Sequence, residues 1–337
     1  MAPEVAVSAL PARVFREELD GATALQFDLQ LENNTDRSLR LTGIDYLGFD
    51  GQEALVLRRT VDEHGLRPGI EVIPERDVPA LRTLLLFNPL CRFPRSLDLR
   101  RLHVRCHLEV ADADAPDSFV AETDVRPVAY SPRVTLVLPL VGRVFVANGH
   151  DFLSPHRRID PTHPIAIQFG VRTNSGRYAD DFSLVDDAGS LYSRDGLELR
   201  DWIGFGAPVR APGAGTIVAA VSSVPDNTFT STGVEFAEPH EHEPAAAIFG
   251  NHLVIDHGSD EFSVLGHLEH DSVTVEPGER VDAEQRVGSL GLSGNTDFVH
   301  LHYQLQGRPD ARLAEGLPAR FANIDHPLEP GTIVDSR

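Results

Sequence analysis

Apolar and polar side chains alternate in short runs through this chain, and polar or proline-containing turns cut each run off within about ten residues. A period of two places successive side chains on opposite faces of an extended backbone, which is the pattern of a half-buried strand. Residues 24–31, 39–44, 54–57, 83–87, 102–110 and 119–125 all read this way. No segment keeps the 3.6-residue period of an amphipathic helix. The chain is therefore expected to be all-β.

With 337 residues it is long enough for two domains. The evenly spaced short strands up to residue 130 predict an immunoglobulin-like sandwich over 1–130. Residues 127–139 read as a linker and the first strand of a second domain, 131–337. There, valine-rich runs at 203–209, 215–221, 252–255, 261–265, 272–275, 286–290 and 301–305 alternate with glycine turns. Residues 228–247, rich in Thr, Pro, Glu and Ala, are expected to form a surface loop.

Composition excludes several classes of partner. The net charge is -21, and all 30 basic residues are Arg. A field of that sign repels nucleic acid and anionic lipid. No apolar run approaches the ~20 residues that span a bilayer. The first residues, Met1-Ala2-Pro3-Glu4-Val5, lack the basic and apolar regions of a signal peptide. Cys91 and Cys106 are too few for a disulfide framework or a cysteine zinc site. They are read either as a cross-strand pair or as two buried thiols.

Chemistry is concentrated after residue 149, where all histidines but His64, His103 and His107 lie. In Val299-His300-Leu301-His302-Tyr303 the two imidazoles share one face of a strand while Leu301 enters the core. Such a pair on a rigid element is suited to metal binding or to proton transfer. A Leu265-Gly266-His267-Leu268 segment lies upstream. His257 reads as a strand-end hydrogen bonder, His252 and His270 as solvent-facing, and His240-Glu241-His242-Glu243 as an acidic loop. Tyr178 and Asn251 are candidates for lining a cleft, and Trp202 and Phe205 for a groove wall or the core.

Several motifs follow one another in order between about residues 140 and 310. They are Gly206-Ala207-Pro208-Val209-Arg210-Ala211-Pro212, Gly250-Asn251-His252-Leu253-Val254-Ile255-Asp256-His257-Gly258, Gly266-His267-Leu268, Val287-Gly288-Ser289-Leu290-Gly291-Leu292-Ser293-Gly294 and His300-Leu301-His302. This succession resembles the lysostaphin-type (LytM-like) zinc endopeptidases, which cut peptide cross-links in bacterial peptidoglycan. The resemblance implies a duplicated-hybrid-motif β-sheet domain holding Zn2+ on an early His, an Asp and the second His of HxH. His302 matches the last ligand. In Arg177-Tyr178-Ala179-Asp180-Asp181-Phe182, the register with Phe182 and strand alternation favour Asp181 over Asp180. The usual position of the early His is Arg177 here, but a subgroup of the family carries it in a preceding NG…HRR segment, which Asn148-Gly149-His150-Asp151-Phe152-Leu153-Ser154-Pro155-His156-Arg157-Arg158 resembles, so the resemblance implies His156 first, followed by His163 and His150.

His267 and His300 resemble the family's catalytic pair. The function implied is a zinc metalloendopeptidase acting on stem or cross-link peptides of peptidoglycan in an extracytoplasmic compartment. The alternative is a catalytically silent relative that binds peptidoglycan or a partner protein as a regulator. Glycine turns at 204–206 and 288–294 are expected to let a substrate backbone approach.

Overall fold

The structure, a computed structural model, describes residues 3–111, 117–237, 244–325 and 328–337. The chain divides into two compact units, Met1–Tyr130 and Ser131–Arg337. Strands dominate both. Among the described residues, α-helix is confined to Pro164–Gln168 and Pro244–Phe249.

In the first unit, Leu39–Phe49 and Arg101–Val110 pair antiparallel at the centre of one sheet, flanked by Ser118–Val125 and Leu55–Asp62. Burial alternates along Arg101–Val110: Leu102, Val104, Cys106 and Leu108 point inward and Arg101, His103, Arg105 and His107 outward. The inward set joins Leu25, Phe27, Leu29, Leu31, Leu41 and Ile44 in one apolar core. Each such side chain, fully buried, contributes about 1.5–3 kcal/mol. The outward set makes exposed ion pairs such as Arg105 with Glu122 at 2.8 Å, which add little stability. Cys91 and Cys106 are buried free thiols.

The second unit is built on a nine-stranded sheet. Its middle runs Asn251–Asp256, Phe262–Leu268, Leu301–Gln306, Asp180–Leu184 and Gly142–Asn148, each antiparallel to the next. On Leu301–Gln306 the odd-numbered side chains enter an apolar layer, where the Tyr303 ring lies 5.0 Å from Phe321 and 6.4 Å from Phe182. The even-numbered ones, His302, Gln304 and Gln306, would face solvent in a one-sided sheet. Here all six residues are buried. Phe249, with Val254 and Val264, packs on that second face.

Several segments differ from the expectation. Residues 24–31 form two strands, Ala22–Leu25 and Asp28–Asn33, interrupted at Gln26 and Phe27. Of 203–209 only the end is strand, within Pro208–Arg210, and 272–275 is not strand. The expected loop at 228–247 contains a hairpin of Thr228–Thr230 with Gly233–Glu235 and most of the helix Pro244–Phe249. Asn227 anchors the hairpin: its Nδ2 donates to the carbonyls of Gly294 (2.8 Å) and Thr296 (3.1 Å), and its Oδ1 accepts from Ala237 N–H. His240-Glu241-His242-Glu243 lies outside the described residues.

Candidate metal centre

Four adjacent strands bring one row of residues together. Asn148 pairs with Asp181, Asp181 with His302, and His302 with Gly266. Gly266 leaves room in that row, because a Cβ there would sit 3.4 Å from both His302 Cβ and Phe249. Asp180, one residue earlier than Asp181, faces the apolar side and pairs with Tyr303.

Asp181 Oδ1 is the hub. It lies 3.2 Å from His302 Nδ1, 3.3 Å from His156 Nε2 and 3.2 Å from His300 Nε2. The other carboxylate oxygen accepts from Asn148 Nδ2 at 2.9 Å. Ligand atoms of His156, Asp181 and His302 all lie within 4.8 Å of one another, the one such cluster found among the described residues. Two imidazoles and one carboxylate are a donor set that Zn2+ accepts while keeping a fourth position open. The residues present therefore fit a zinc ion.

His156 comes from a loop that turns back on itself. Its Nδ1 donates to Gly149 O at 3.0 Å, Ser154 Oγ also donates to that carbonyl, and Asn174 Nδ2 holds the His156 carbonyl at 2.9 Å. The other two early candidates go elsewhere. His163 caps the helix Pro164–Gln168 by accepting from Ile165 N–H, and His150 Nδ1 lies 3.4 Å from Asp180 Oδ1. Arg177 points to Glu315 at 3.3 Å.

His267 reaches the site through a backbone irregularity. The register between Asn251–Asp256 and Phe262–Leu268 slips so that two residues, Gly266 and His267, oppose one. A bulge of this kind re-aims a side chain. His267 has φ +60, a costly conformation for a non-glycine residue that the surrounding structure must enforce. Its ring packs 4.7 Å from that of His300, and its Nδ1 donates to Ser293 O at 2.8 Å. His300 directs Nδ1 to Phe298 O at 3.0 Å. Each of the four histidines thus has one nitrogen held by an oxygen, and in His156, His300 and His302 the other turns to Asp181.

The charges are unequally shared. Burial opposes ionisation of Asp181, but His300 and His156 outweigh it and hold the carboxyl well below the usual carboxylate range. Burial also opposes the charge on His156, yet Asp181, the Gly149 carbonyl and Asp180 raise it above the ordinary histidine value. In His267, burial and then the neighbouring His300 and His302 push the value well down. His302 is lowered by burial and His156, against the pull of Asp181. One carboxylate cannot offset the charge of every imidazole around it, so His156 is raised while the more deeply buried His267 and His302 are lowered.

Other candidates have structural roles. Asn251 is buried: it accepts from Val224 N–H and donates to the carbonyls of Val224 and Leu268. His252 is buried rather than solvent-facing, with Nδ1 at 2.8 Å from Gly250 O. His257 bridges Ala214 O and Ser263 Oγ. Trp202 stacks on Phe229 at 5.1 Å. The glycines of 288–294 serve internal packing more than substrate approach. A Cβ on Gly291 would lie 2.3 Å from Glu269 N, and one on Gly294 would lie 2.2 Å from Gly250 N. Gln304 and Phe249 were not singled out from sequence. Gln304 could have been, since it lies two residues beyond His302 on the same strand face.

Residues 196–312 match Peptidase family M23, a segment that contains His267, His300 and His302 but begins after His156 and Asp181. The chain is 35% identical over 71 residues to the peptidoglycan DD-endopeptidase ShyA of Vibrio cholerae, a stretch covering 20% of this chain and 16% of that protein. Among solved structures, it is similar to the catalytic domain of lysostaphin from Staphylococcus simulans (20% identity, 41% of this chain and 74% of that one, TM-score 0.25). It is also similar to a zinc-containing peptidase from Vibrio cholerae (12% identity, 89% and 82%, TM-score 0.31). Residues 196–312 thus carry a match to Peptidase family M23, in line with the resemblance to the lysostaphin-type (LytM-like) endopeptidases.

Proposed function

We propose that the second unit is a zinc-dependent endopeptidase that cuts stem or cross-link peptides of peptidoglycan, and hence works outside the cytoplasm. The observation that carries this reading is the convergence of His156 Nε2, Asp181 Oδ1 and His302 Nδ1 beside the paired rings of His267 and His300. The match of residues 196–312 to Peptidase family M23 and the similarity to a peptidoglycan endopeptidase support cell-wall hydrolysis as the class of reaction. Zinc, when bound, supplies a Lewis acid that polarises a peptide carbonyl and acidifies water.

The remaining work falls to the protein. His267 is kept neutral by burial and donates its Nδ1 proton to Ser293, so Nε2 carries the lone pair that a general base needs. His300, 3.2 Å from Asp181 Oδ1 through Nε2, stands beside the donor cluster. Between them the two rings divide proton transfer and stabilisation of the oxyanion. Asn148 keeps one oxygen of Asp181 occupied and so aims the other inward.

One observation favours a second reading, a silent relative that binds peptidoglycan or a partner. The side chains of His156, Asp181, His300 and His302 are only 12%, 4%, 5% and 8% exposed, and the Phe249 ring lies 5.3 Å from His302. Digestion of purified peptidoglycan separates the two. A zinc-loaded peptidase releases new amino termini and no new reducing sugar ends. Release of neither, from Gly-bridged and diaminopimelate-type walls alike, favours the binder.

A further inference from the structure

The even-numbered side chains of the Leu301–Gln306 strand form a directed chain of hydrogen bonds. His302 Nε2 lies 2.9 Å from Gln304 Oε1, and Gln304 Nε2 donates to Gln306 Oε1. Gln306 Nε2 donates in turn to the carbonyls of Arg308 (2.7 Å) and Pro309 (3.1 Å). His302, Gln304 and Gln306 are all buried, so water cannot substitute for a missing partner.

The direction of this chain is set at its far end. Backbone carbonyls only accept, so Gln306 must present its NH2 group to Arg308 and Pro309. Its oxygen then faces Gln304, which must answer with NH2 and turn its own oxygen to His302. An oxygen acceptor at 2.9 Å requires a proton on His302 Nε2. The lone pair is left on Nδ1, the nitrogen that points to Asp181. Reversing any amide would set acceptor against acceptor in a buried place.

We infer that Gln304 and Gln306 are positioning residues that fix His302 in its Nε2–H tautomer and so commit Nδ1 to the metal. The inference rests on the zinc reading above and goes beyond it in naming what orients the ligand. An amide relay adds no charge next to Asp181, whereas a carboxylate at position 304 would.

The test is made on the full chain labelled with 15N in histidine and loaded with zinc. Long-range 1H–15N spectra should show the His302 proton on Nε2, with Nδ1 shifted on zinc binding. Zinc affinity is then measured by competition with a chelating indicator. Gln304→Leu should lose about 10–100-fold, the usual effect of removing a partner behind a metal-bound histidine. Gln306→Leu, which leaves the Gln304 oxygen facing His302, should lose less than Gln304→Leu. A His302 proton on Nδ1 in the zinc-loaded parent overturns the inference, and this needs no variant to fold. So does a folded Gln304→Leu that binds zinc as tightly as the parent. A parent that takes up no zinc overturns the metal reading itself and this inference with it, and is recognised before any spectrum is compared.

Discussion

Asp181 and His302 sit directly across from each other on neighbouring antiparallel strands, with Oδ1 and Nδ1 3.2 Å apart. A cross-strand pair is fixed by sheet register rather than by side-chain freedom. Little conformational entropy remains to be lost when the two act on one ion. His156 then has only to fold in from its loop.

Binding and catalysis should separate by residue. His267→Ala and His300→Ala are expected to keep zinc, because neither belongs to the three-residue donor cluster. Each should slow peptide hydrolysis by about 100–1,000-fold, the usual cost of losing an oxyanion donor or a proton-transfer group. Metal analysis alongside the rates checks this. Loss of the metal from either variant would reassign that histidine as a ligand.

Zinc affinity should rise with pH through the neutral range. His156 in the metal-free protein is raised above the ordinary histidine value, so it holds its proton where an unfolded histidine, near ~6.5, has lost it. The stability this gives is fully present below the unfolded value and is lost as pH rises through the folded one. Zinc needs the same nitrogen free, so binding releases that proton and strengthens until the group is neutral anyway. Titrations in buffers of different ionisation heat would count the proton. An affinity that stays flat from about pH 6 to about pH 8 would contradict this role for His156.

Gly250→Ala should damage the site from a distance. Gly250 has φ +61, and a Cβ there would fall 2.3 Å from the carbonyl of Ser293, the group that holds His267. The backbone conformation alone costs about 1–3 kcal/mol, and the clash adds to it. Thermal unfolding should show the loss, and hydrolysis should fall further than stability explains. A variant with unchanged melting would show that Ser293 moves freely.

Much of this arrangement is readable from residue order. Period-two alternation puts His300 and His302 on one face, and it separates Asp180 from Asp181. Alternation could not reveal that the polar face of Leu301–Gln306 is covered, because the cover, Phe249, comes from a helix of only six residues. Nor could it reveal the bulge that turns His267 toward His300, since a register slip depends on the partner strand. Asn148 stands in the same segment as His156, but its bond to Asp181 depends on how two strands distant in sequence pair.

The ligand set can be located directly by anomalous X-ray scattering at the zinc edge from crystals of the zinc-loaded protein. One strong peak is expected, flanked by His156 Nε2, Asp181 Oδ1 and His302 Nδ1, with no peak between His150 and Asp180. A peak at His150 or His163, or none beside Asp181, would contradict that set.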